Sequence, residues 1–573
     1  MAEGPRHRLR LVSTLLIGLV LVIVAQLVQV QIVDHPFYEE WAKDQRVRPI
    51  MMAEPPRGTI RDRDGYLLAG NAVVYSIEAT PAHVVGAEAA ATALGSLLHM
   101  PAAHIQKLLE GEDLWVQIAS PMSKEVGEQV AALELPGITV RSLWVREYPE
   151  GVLAAHVLGF CTVECMGFYG VEGFHDALLQ PERVEWEGPV DTASEQIPWV
   201  VVPVVLPRPG TGLVLTLDRT VQALVEDELA RSVQEYQAEG GTIIVMDPRT
   251  FEILALASLP SYEPGRYTDF FAHDPLPFED PAVSHQYEPG SVFKVLTVAA
   301  ALNVGLVTPE TTYYDQGWIE VGGQVVENAS RQAYGEQTVA DILIESLNVG
   351  VAWLSMQMGP DTFYRYARAF GIGQPTGVDL AGEISGQLWL PGDCEHWYDS
   401  NLGTNSFGQG LAVTPLQMIA AVATVANDGA RLRPHVVAQR IAPDGTVSTF
   451  QSVVEAQVLS PQTASQLAEM MVRVVEEGVP QAKVEGYRIA GKTGTAQIPI
   501  PGGYDKEGTI ASFVGFGPVP DPQLIILVKL DRPKTSQWGS DTAARAFQRL
   551  AARLFVVLGI PPNSMEVAEA VGR

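Results

Sequence analysis

Ser291 and Lys294 place a hydroxyl and an amine three residues apart at the head of a long apolar run. Side chains at i and i+3 share a helix face, so a helix starting here would give a nucleophile its own base. The turn dipeptide Pro289-Gly290 precedes the pair. Ser291 therefore falls in a first helical turn, where backbone N–H groups lack intrahelical partners and can stabilise developing negative charge. Residues 295–302 are apolar almost all round. Such a helix should run through a core and leave Lys294 partly desolvated, with a lowered pKa. A capping serine followed by a snorkelling lysine would account for the same four residues.

Two later segments weigh against that plainer account. Ser346-Leu347-Asn348 falls between helical patterns over 339–345 and from about 350, which predicts a tight turn between two helices. Lys492-Thr493-Gly494-Thr495 lies inside residues 487–496, which read as a strand. S-x-x-K, S-x-N and K-T-G, in that order and widely spaced, form the motif triplet of class A β-lactamases and penicillin-binding proteins. In such a site Lys294 suits the general base for Ser291, Ser346 a proton relay to a departing amine, and Asn348 a hold on a substrate amide. Lys492 would supply positive charge for a carboxylate, and Thr493 a directional hydroxyl. Gly494 would let an extended peptide approach an edge strand, while the N–H groups of Ser291 and Thr495 would form an oxyanion hole.

The elements that must position these groups follow from composition. A chain of 573 residues exceeds a single core and predicts two or more domains. Arg6, Arg8 and Arg10 precede residues 11–33, an uncharged run long enough, at about 1.5 Å per residue, to cross a hydrocarbon core of roughly 30 Å. Residues 28–33 carry no A-x-A cleavage site, so a membrane anchor is expected in place of a removed signal peptide. Asp34, Glu39 and Glu40 follow the span, which keeps the N-terminus cytoplasmic and exports the rest through a single pass. Gln26, Gln29 and Gln31 either hydrogen-bond to a neighbouring membrane helix or mark the outer interface. A net charge of −29 argues against nucleic acid. Three cysteines cannot all pair, and Cys161, Cys165 and Cys394 match no metal spacing.

The expected organisation is a cytoplasmic tail (1–10), a transmembrane anchor (11–33), an elongated α+β pedestal (34–210), a catalytic domain (211–560) and a short tail (561–573). In the catalytic domain residues 219–237 read as an amphipathic helix, 242–246 and 252–257 as a hairpin, and 511–517 and 524–530 as strands, with a closing helix over 542–558. One mainly antiparallel sheet beside a helical lobe, with the motif triplet at their junction, makes the fold class α+β.

The sequence resembles the class B penicillin-binding proteins, membrane-anchored peptidoglycan D,D-transpeptidases, over nearly its whole length. Besides the triplet, the resemblance rests on residues 57–69, on Arg146-Glu147-Tyr148-Pro149-Glu150-Gly151 with Ala155-His156-Val157-Leu158-Gly159, and on Gly170-Val171-Glu172-Gly173. It also rests on Tyr287-Glu288-Pro289-Gly290 and on residues 407–417. It implies that Ser291 attacks the penultimate D-Ala carbonyl of a stem peptide, releases the terminal D-Ala, and passes the acyl group to a neighbouring stem peptide. It implies a β-lactamase/transpeptidase-like catalytic domain and a non-catalytic, dimerisation-like pedestal. The partners it implies are peptidoglycan stem peptides and their lipid-linked precursor, β-lactams, a SEDS-type glycosyltransferase and divisome membrane proteins. It implies no cofactor and no metal, which makes His156 and His285 structural. Residues 180–188 lack the paired glycines usual there, and nothing after 558 resembles the appended repeats of some relatives. The compact pedestal and Ser406-Phe407-Gly408-Gln409-Gly410 favour a division enzyme, whereas Leu68-Ala69-Gly70-Asn71 suits an elongation enzyme equally. A carboxypeptidase or β-lactamase would use the same serine, and a scaffold that activates the polymerase would need none of the triplet.

Overall fold

The computed structural model describes residues 4–34, 47–49, 55–163, 165–182, 187–189, 208–273, 277–393 and 395–563. Cys394, most of residues 180–211 and the tail beyond 563 lie outside the described residues. The chain divides into two units: residues 1–55 with 181–208, and residues 56–180 with 209–573. In the first, helix Gly4–Val28 runs on into a wider turn, Gln29–Val33, and the short strands Val47–Pro49 and Glu187–Pro189 pair antiparallel. Its segment Val12–Val33 is long and apolar enough to cross a membrane and presents its Leu, Ile and Val side chains outward.

The second unit is built on two sheets. The first has five strands in the order Ile253–Leu259, Gly240–Met246, Leu524–Asp531, Gly503–Gly517, Ala490–Ile500, every neighbour antiparallel. Strand Gly240–Met246 is buried along its whole length, as a central strand covered on both faces must be. Helices Arg219–Tyr236 and Ala543–Val557 touch one another and pack on this sheet. Helices Pro415–Ala426 and Pro461–Arg473 form a second packed pair on it, and helix Lys294–Asn303 lies against both. Strand Ala490–Ile500, which carries the K-T-G residues, pairs with one neighbour only and is therefore an edge. That is the order needed to leave one row of its backbone groups for a peptide.

The second sheet has seven strands. Gly212–Leu215 pairs parallel with Ile60–Arg61 on one side and antiparallel with Val437–Ile441 on the other. Beyond Ile60–Arg61 come Leu67–Ala79 and its two partners, Val116–Met122 and Ile138–Glu147. Helices Ala87–Leu98, Ala102–Leu109 and Lys124–Ala131 cover this end around a small apolar cluster that includes Ile77, Leu94, Ile105 and Val130. Residues 62–66 form a charged turn: Asp62 Oδ1 accepts from the N–H of Asp64 (3.0 Å) and Tyr66 (2.8 Å). The following strand, Leu67–Ala79, is thirteen residues long.

The lobe between the hairpin at 240–259 and the last three strands is less uniformly helical than its sequence suggests. Thr312–Asp315 pairs with Gly335–Thr338, and Trp318–Val321 pairs with Gln324–Glu327 across Gly322-Gly323, both at positive φ. Four-residue strands alternate too briefly to give a periodic signal. Glycine is what permits so tight a reversal.

Candidate active site

Gly290 turns the chain into the nucleophile helix. Its φ is +55° and its N–H donates to the Gly408 carbonyl at 3.1 Å, so the loop of residues 407–414 braces the entry to Ser291. Residues Gly290–Phe293 form a 3₁₀ turn, and the α-helix proper begins at Lys294 and runs to Asn303. All of residues 294–302 are buried, as the unbroken apolar run requires. Lys294 is fully buried with them, and its Nζ donates to the Ser346 carbonyl at 2.5 Å and to Ser346 Oγ at 3.2 Å.

Ser346 lies between helices Val339–Ile344 and Asn348–Ala369, in the turn predicted for it. The first of these helices starts on a capping box in which Thr338 and Asp341 satisfy each other's backbone N–H. Ser346 itself has φ +56°, a conformation that costs a non-glycine residue about 1–2 kcal/mol. That twist presents both its carbonyl and its hydroxyl to Lys294. Asn348 begins the second helix, and its Nδ2 donates to the Glu327 carbonyl at 3.0 Å. Next to it the Val349 N–H is held by Asn328 Oδ1 at 3.1 Å, and Asn328 is in turn fixed by buried Asp315.

Lys492 reaches the same point from the sheet edge. Its Nζ donates to Ser346 Oγ at 3.1 Å, to its neighbour's carbonyl at 3.3 Å and to Thr493 Oγ1 at 3.4 Å. Ser346 Oγ therefore accepts from two buried amines. Burial, and then the charge of Lys492, hold Lys294 well below the ordinary lysine pKa. Burial lowers Lys492 to about 7. Among the described residues neither amine has an ion-pair partner, so desolvation is uncompensated and one of the two is readily neutral.

The strand closes tightly on the nucleophile turn. A Cβ on Gly494 would lie 2.4 Å from Ser512 Oγ and 3.0 Å from the Pro289 carbonyl. A Cβ on Gly290 would meet the Thr495 carbonyl at 3.1 Å. The Ser291 and Thr495 backbones are thereby brought side by side. Thr495 Oγ1 accepts from the Gly539 N–H at 3.1 Å, and Gly539 leaves no room for a side chain, a Cβ there falling 2.4 Å from the Gly494 carbonyl. The Ser291 hydroxyl has no hydrogen-bond partner among the described residues.

The structure thus joins Lys294, Ser346 and Lys492 directly and sets Ser291, Thr493, Gly494 and Thr495 around them, with Asn348 two residues beyond Ser346. Gly539, Ser512 and the Gly408 carbonyl are parts of the site that sequence reasoning did not reach. Gly408 had a signal, since residues 407–417 stood out as a motif; the other two lie in stretches with none. His156 is buried, bonded through Nε2 to the Pro277 carbonyl at 3.0 Å and set edge-on to Tyr262. His285 is exposed beside Glu279. Among the described residues no cluster of three or more His, Cys, Asp or Glu side chains could hold a metal.

Comparison with known families settles what carries this geometry. The penicillin-binding protein transpeptidase domain matches residues 241–552, and the penicillin-binding protein dimerisation domain matches residues 52–173. The chain belongs to the class B penicillin-binding proteins. Stage V sporulation protein D of Bacillus subtilis is 33% identical over 572 residues, covering 98% of this chain and 87% of that protein. The probable peptidoglycan D,D-transpeptidase PbpC of Pseudomonas aeruginosa is 29% identical, covering 100% of this chain and 98% of its own length. Among solved structures, penicillin-binding protein 3 of Mycobacterium tuberculosis in complex with aztreonam superposes with a TM-score of 0.69 at 28% identity, covering 90% of this chain and 98% of that one. A class B penicillin-binding protein with this transpeptidase domain is a peptidoglycan D,D-transpeptidase. Its mixed α+β architecture, with a mainly antiparallel sheet in the enzymatic portion, is the one expected from sequence.

Proposed function

We propose that this penicillin-binding protein crosslinks stem peptides through an acyl-enzyme on Ser291, anchored by residues 11–33 with its catalytic domain outside the cytoplasmic membrane and working mainly at the division septum. The supporting observation is the single hydroxyl of Ser346, shared between Lys294 and Lys492. A neutral lysine has two N–H groups and one lone pair. Lys294 spends its two N–H groups on Ser346, which leaves the lone pair for the proton of Ser291 one turn earlier. Ser346 Oγ accepts twice, so its own hydrogen is free to donate.

The reaction follows. Ser291 Oγ attacks the penultimate D-Ala carbonyl while Lys294 takes the hydroxyl proton. The new oxyanion faces the N–H groups of Ser291 and Thr495, a kind of contact whose loss typically costs about 3–4 kcal/mol of barrier. Collapse breaks the amide, and Ser346 passes a proton to the leaving D-Ala amine, recharged by Lys294. The substrate's terminal carboxylate pairs with Lys492 and Thr493, its backbone adds to the edge strand at Gly494, and Asn348 holds a substrate amide. The amine of a second stem peptide then reverses these steps and regenerates Ser291. The pedestal (34–210) and the catalytic domain (211–560) divide this labour, the first binding a SEDS-type polymerase and divisome proteins. A β-lactam presents the same carbonyl beside an anionic group, in keeping with the aztreonam and ampicillin complexes of the M. tuberculosis neighbour.

Incubation with benzylpenicillin followed by peptide mapping should locate one adduct on Ser291 that lasts many minutes. An adduct elsewhere, or none, rejects the assignment; turnover within seconds indicates a hydrolase. The long likeness to a sporulation protein favours a second setting, wall synthesis during sporulation. Depleting the protein separates the two: filamentation marks the septal role, and normal division with defective spores the other.

The lysines also set a pH profile. The base works when Lys294 is unprotonated, so acylation should rise as pH climbs through its depressed pKa. The carboxylate site works when Lys492 is charged, so acylation should fall as pH rises past about 7, the value of the empty site. The two limbs belong to the coupled pair. Lys492→Arg should lower the rate yet remove the falling limb, because a guanidinium stays charged. Stopped-flow acylation across pH checks this, and an unchanged falling limb in the variant would assign it to another group.

A further inference from the structure

Cys161 and Cys165 take no part in the chemistry above, yet the fold brings them together. Strand Phe160–Cys161 pairs with Gly167–Phe168 so that Cys161 stands opposite Gly167. The hairpin is closed by the Thr162 N–H on the Met166 carbonyl (2.9 Å) and the Cys165 N–H on the Thr162 carbonyl (2.8 Å), with Cys165 at φ +58°. This reversal brings Cys165 back beside Cys161 across one tight turn, near enough for each thiol to shift the ionisation of the other. The Cys165 backbone is pinned from the other side by Arg57 Nη1, which donates to its carbonyl at 3.0 Å. Arg57 is fixed by buried Glu172 and by Asp176, whose carboxylate also holds the Gly167 N–H at 2.8 Å. Cys161 is buried and Cys165 half-buried, so one sulfur is reachable and the other waits behind it.

We propose that Cys161 and Cys165 form an intramolecular disulfide, made by exchange with a low-molecular-weight disulfide, that locks this pedestal hairpin. The Cys165 thiolate attacks one sulfur of the small disulfide, expelling one thiolate and leaving a mixed disulfide on Cys165. Cys161 gives up its proton and attacks the Cys165 sulfur, expelling the second thiolate. Two protein thiols are oxidised and one disulfide is reduced to two thiols. The order follows from the environment. The hydrogen bond from Cys161, helped by the Arg57 charge, lowers Cys165 to about 7, whereas that hydrogen bond and burial raise Cys161. A thiol poised near ambient pH is the better attacking group.

Only persistence of the bond in the cell rests on the export proposed above, and the test does not depend on it. The purified full-length protein is equilibrated with oxidised and reduced glutathione at graded ratios, acid-quenched, alkylated under denaturing conditions and peptide-mapped. At oxidising ratios residues 161 and 165 should escape alkylation in a peptide two hydrogens lighter; after reduction both should be labelled. In Cys161→Ser, Cys165 should instead accumulate as the glutathione mixed disulfide, because the resolving thiol is gone. Both cysteines labelled at every ratio, a link to Cys394 in place of the loop, or an unmodified Cys165 in the variant would each overturn the proposal.

Discussion

Changing Lys294 to methionine should slow acylation of Ser291 by about 10²- to 10⁴-fold, the usual contribution of a positioned base. The side chain is fully buried with apolar neighbours on its helix, and methionine matches its length without the amine. The variant should therefore fold: removing an amine that is already desolvated and without an ion-pair partner relieves a burial cost, and unfolding should occur at an equal or higher denaturant concentration. On the function proposed above, what disappears is the lone pair that would take the Ser291 proton, together with both Lys294 contacts to Ser346. The loss should fall on the acylation rate constant and leave initial non-covalent binding of a β-lactam nearly unchanged, because the carboxylate site proposed at Lys492 and Thr493 remains. Stopped-flow analysis separates the two constants. Adding Ser346→Ala to the variant should cost far less than it does alone, since groups acting as a unit are not additive. Equal losses in both backgrounds would mean that Ser346 works without Lys294.

Much of this site was legible because its chemistry is local. Ser291 lies in the 3₁₀ turn that leads into the helix begun by Lys294, Ser346 in the turn that leads into the helix begun by Asn348, and Lys492 to Thr495 on one strand, so each pair of roles is written within a few residues. The edge position of the last strand was also legible, since Gly494 within a strand signals the approach of another backbone. The joining of the three segments is a different matter. The shared hydroxyl depends on Ser346 adopting a left-handed backbone, which serine seldom does and no pattern announces. Gly539 closes over Thr495 from forty-four residues away, and Ser512 fills the space beside Gly494 from the neighbouring strand. The seven-stranded sheet was hidden for the same reason. Strand Gly212–Leu215 is four residues long, and its pairing with Ile60–Arg61 and Val437–Ile441 joins segments separated by more than a hundred residues. Periodicity reports which face of an element is apolar, not which distant element covers it.

The buried ion cluster of the dimerisation domain carries the second large effect. Glu172 is fully buried; its Oε2 pairs with Arg57 at 2.7 Å and its Oε1 with Arg146 at 2.6 Å, and both guanidiniums are themselves almost completely buried. Arg57 also bonds the Glu172 and Cys165 carbonyls, and Arg146 the Gly58 carbonyl at 2.8 Å, so one carboxylate fixes the start of the matched dimerisation domain, its hairpin and the end of its longest strand pair. Glu172→Gln keeps the shape and removes the charge. Arg57 would retain Asp176, but Arg146 would be left as a buried cation without a counter-charge among the described residues, one of its nitrogens already having no partner there. Breaking a buried pair in this way typically costs about 3–5 kcal/mol, because the surviving charge is uncompensated. Urea unfolding of the variant should show a loss of that size, largely insensitive to salt, since the pair is shielded from solvent ions. Acylation by benzylpenicillin at temperatures where the variant is folded should match the parent, because Ser291, Lys294, Ser346 and Lys492 make no contact with Glu172. A stability change below about 1 kcal/mol, the range of exposed pairs, would mean that water or Asp176 takes over the charge. Restoring most of the lost stability with Glu172→Gln plus Arg146→Met would place the cost on the orphaned guanidinium, which is where the burial of Arg146 puts it.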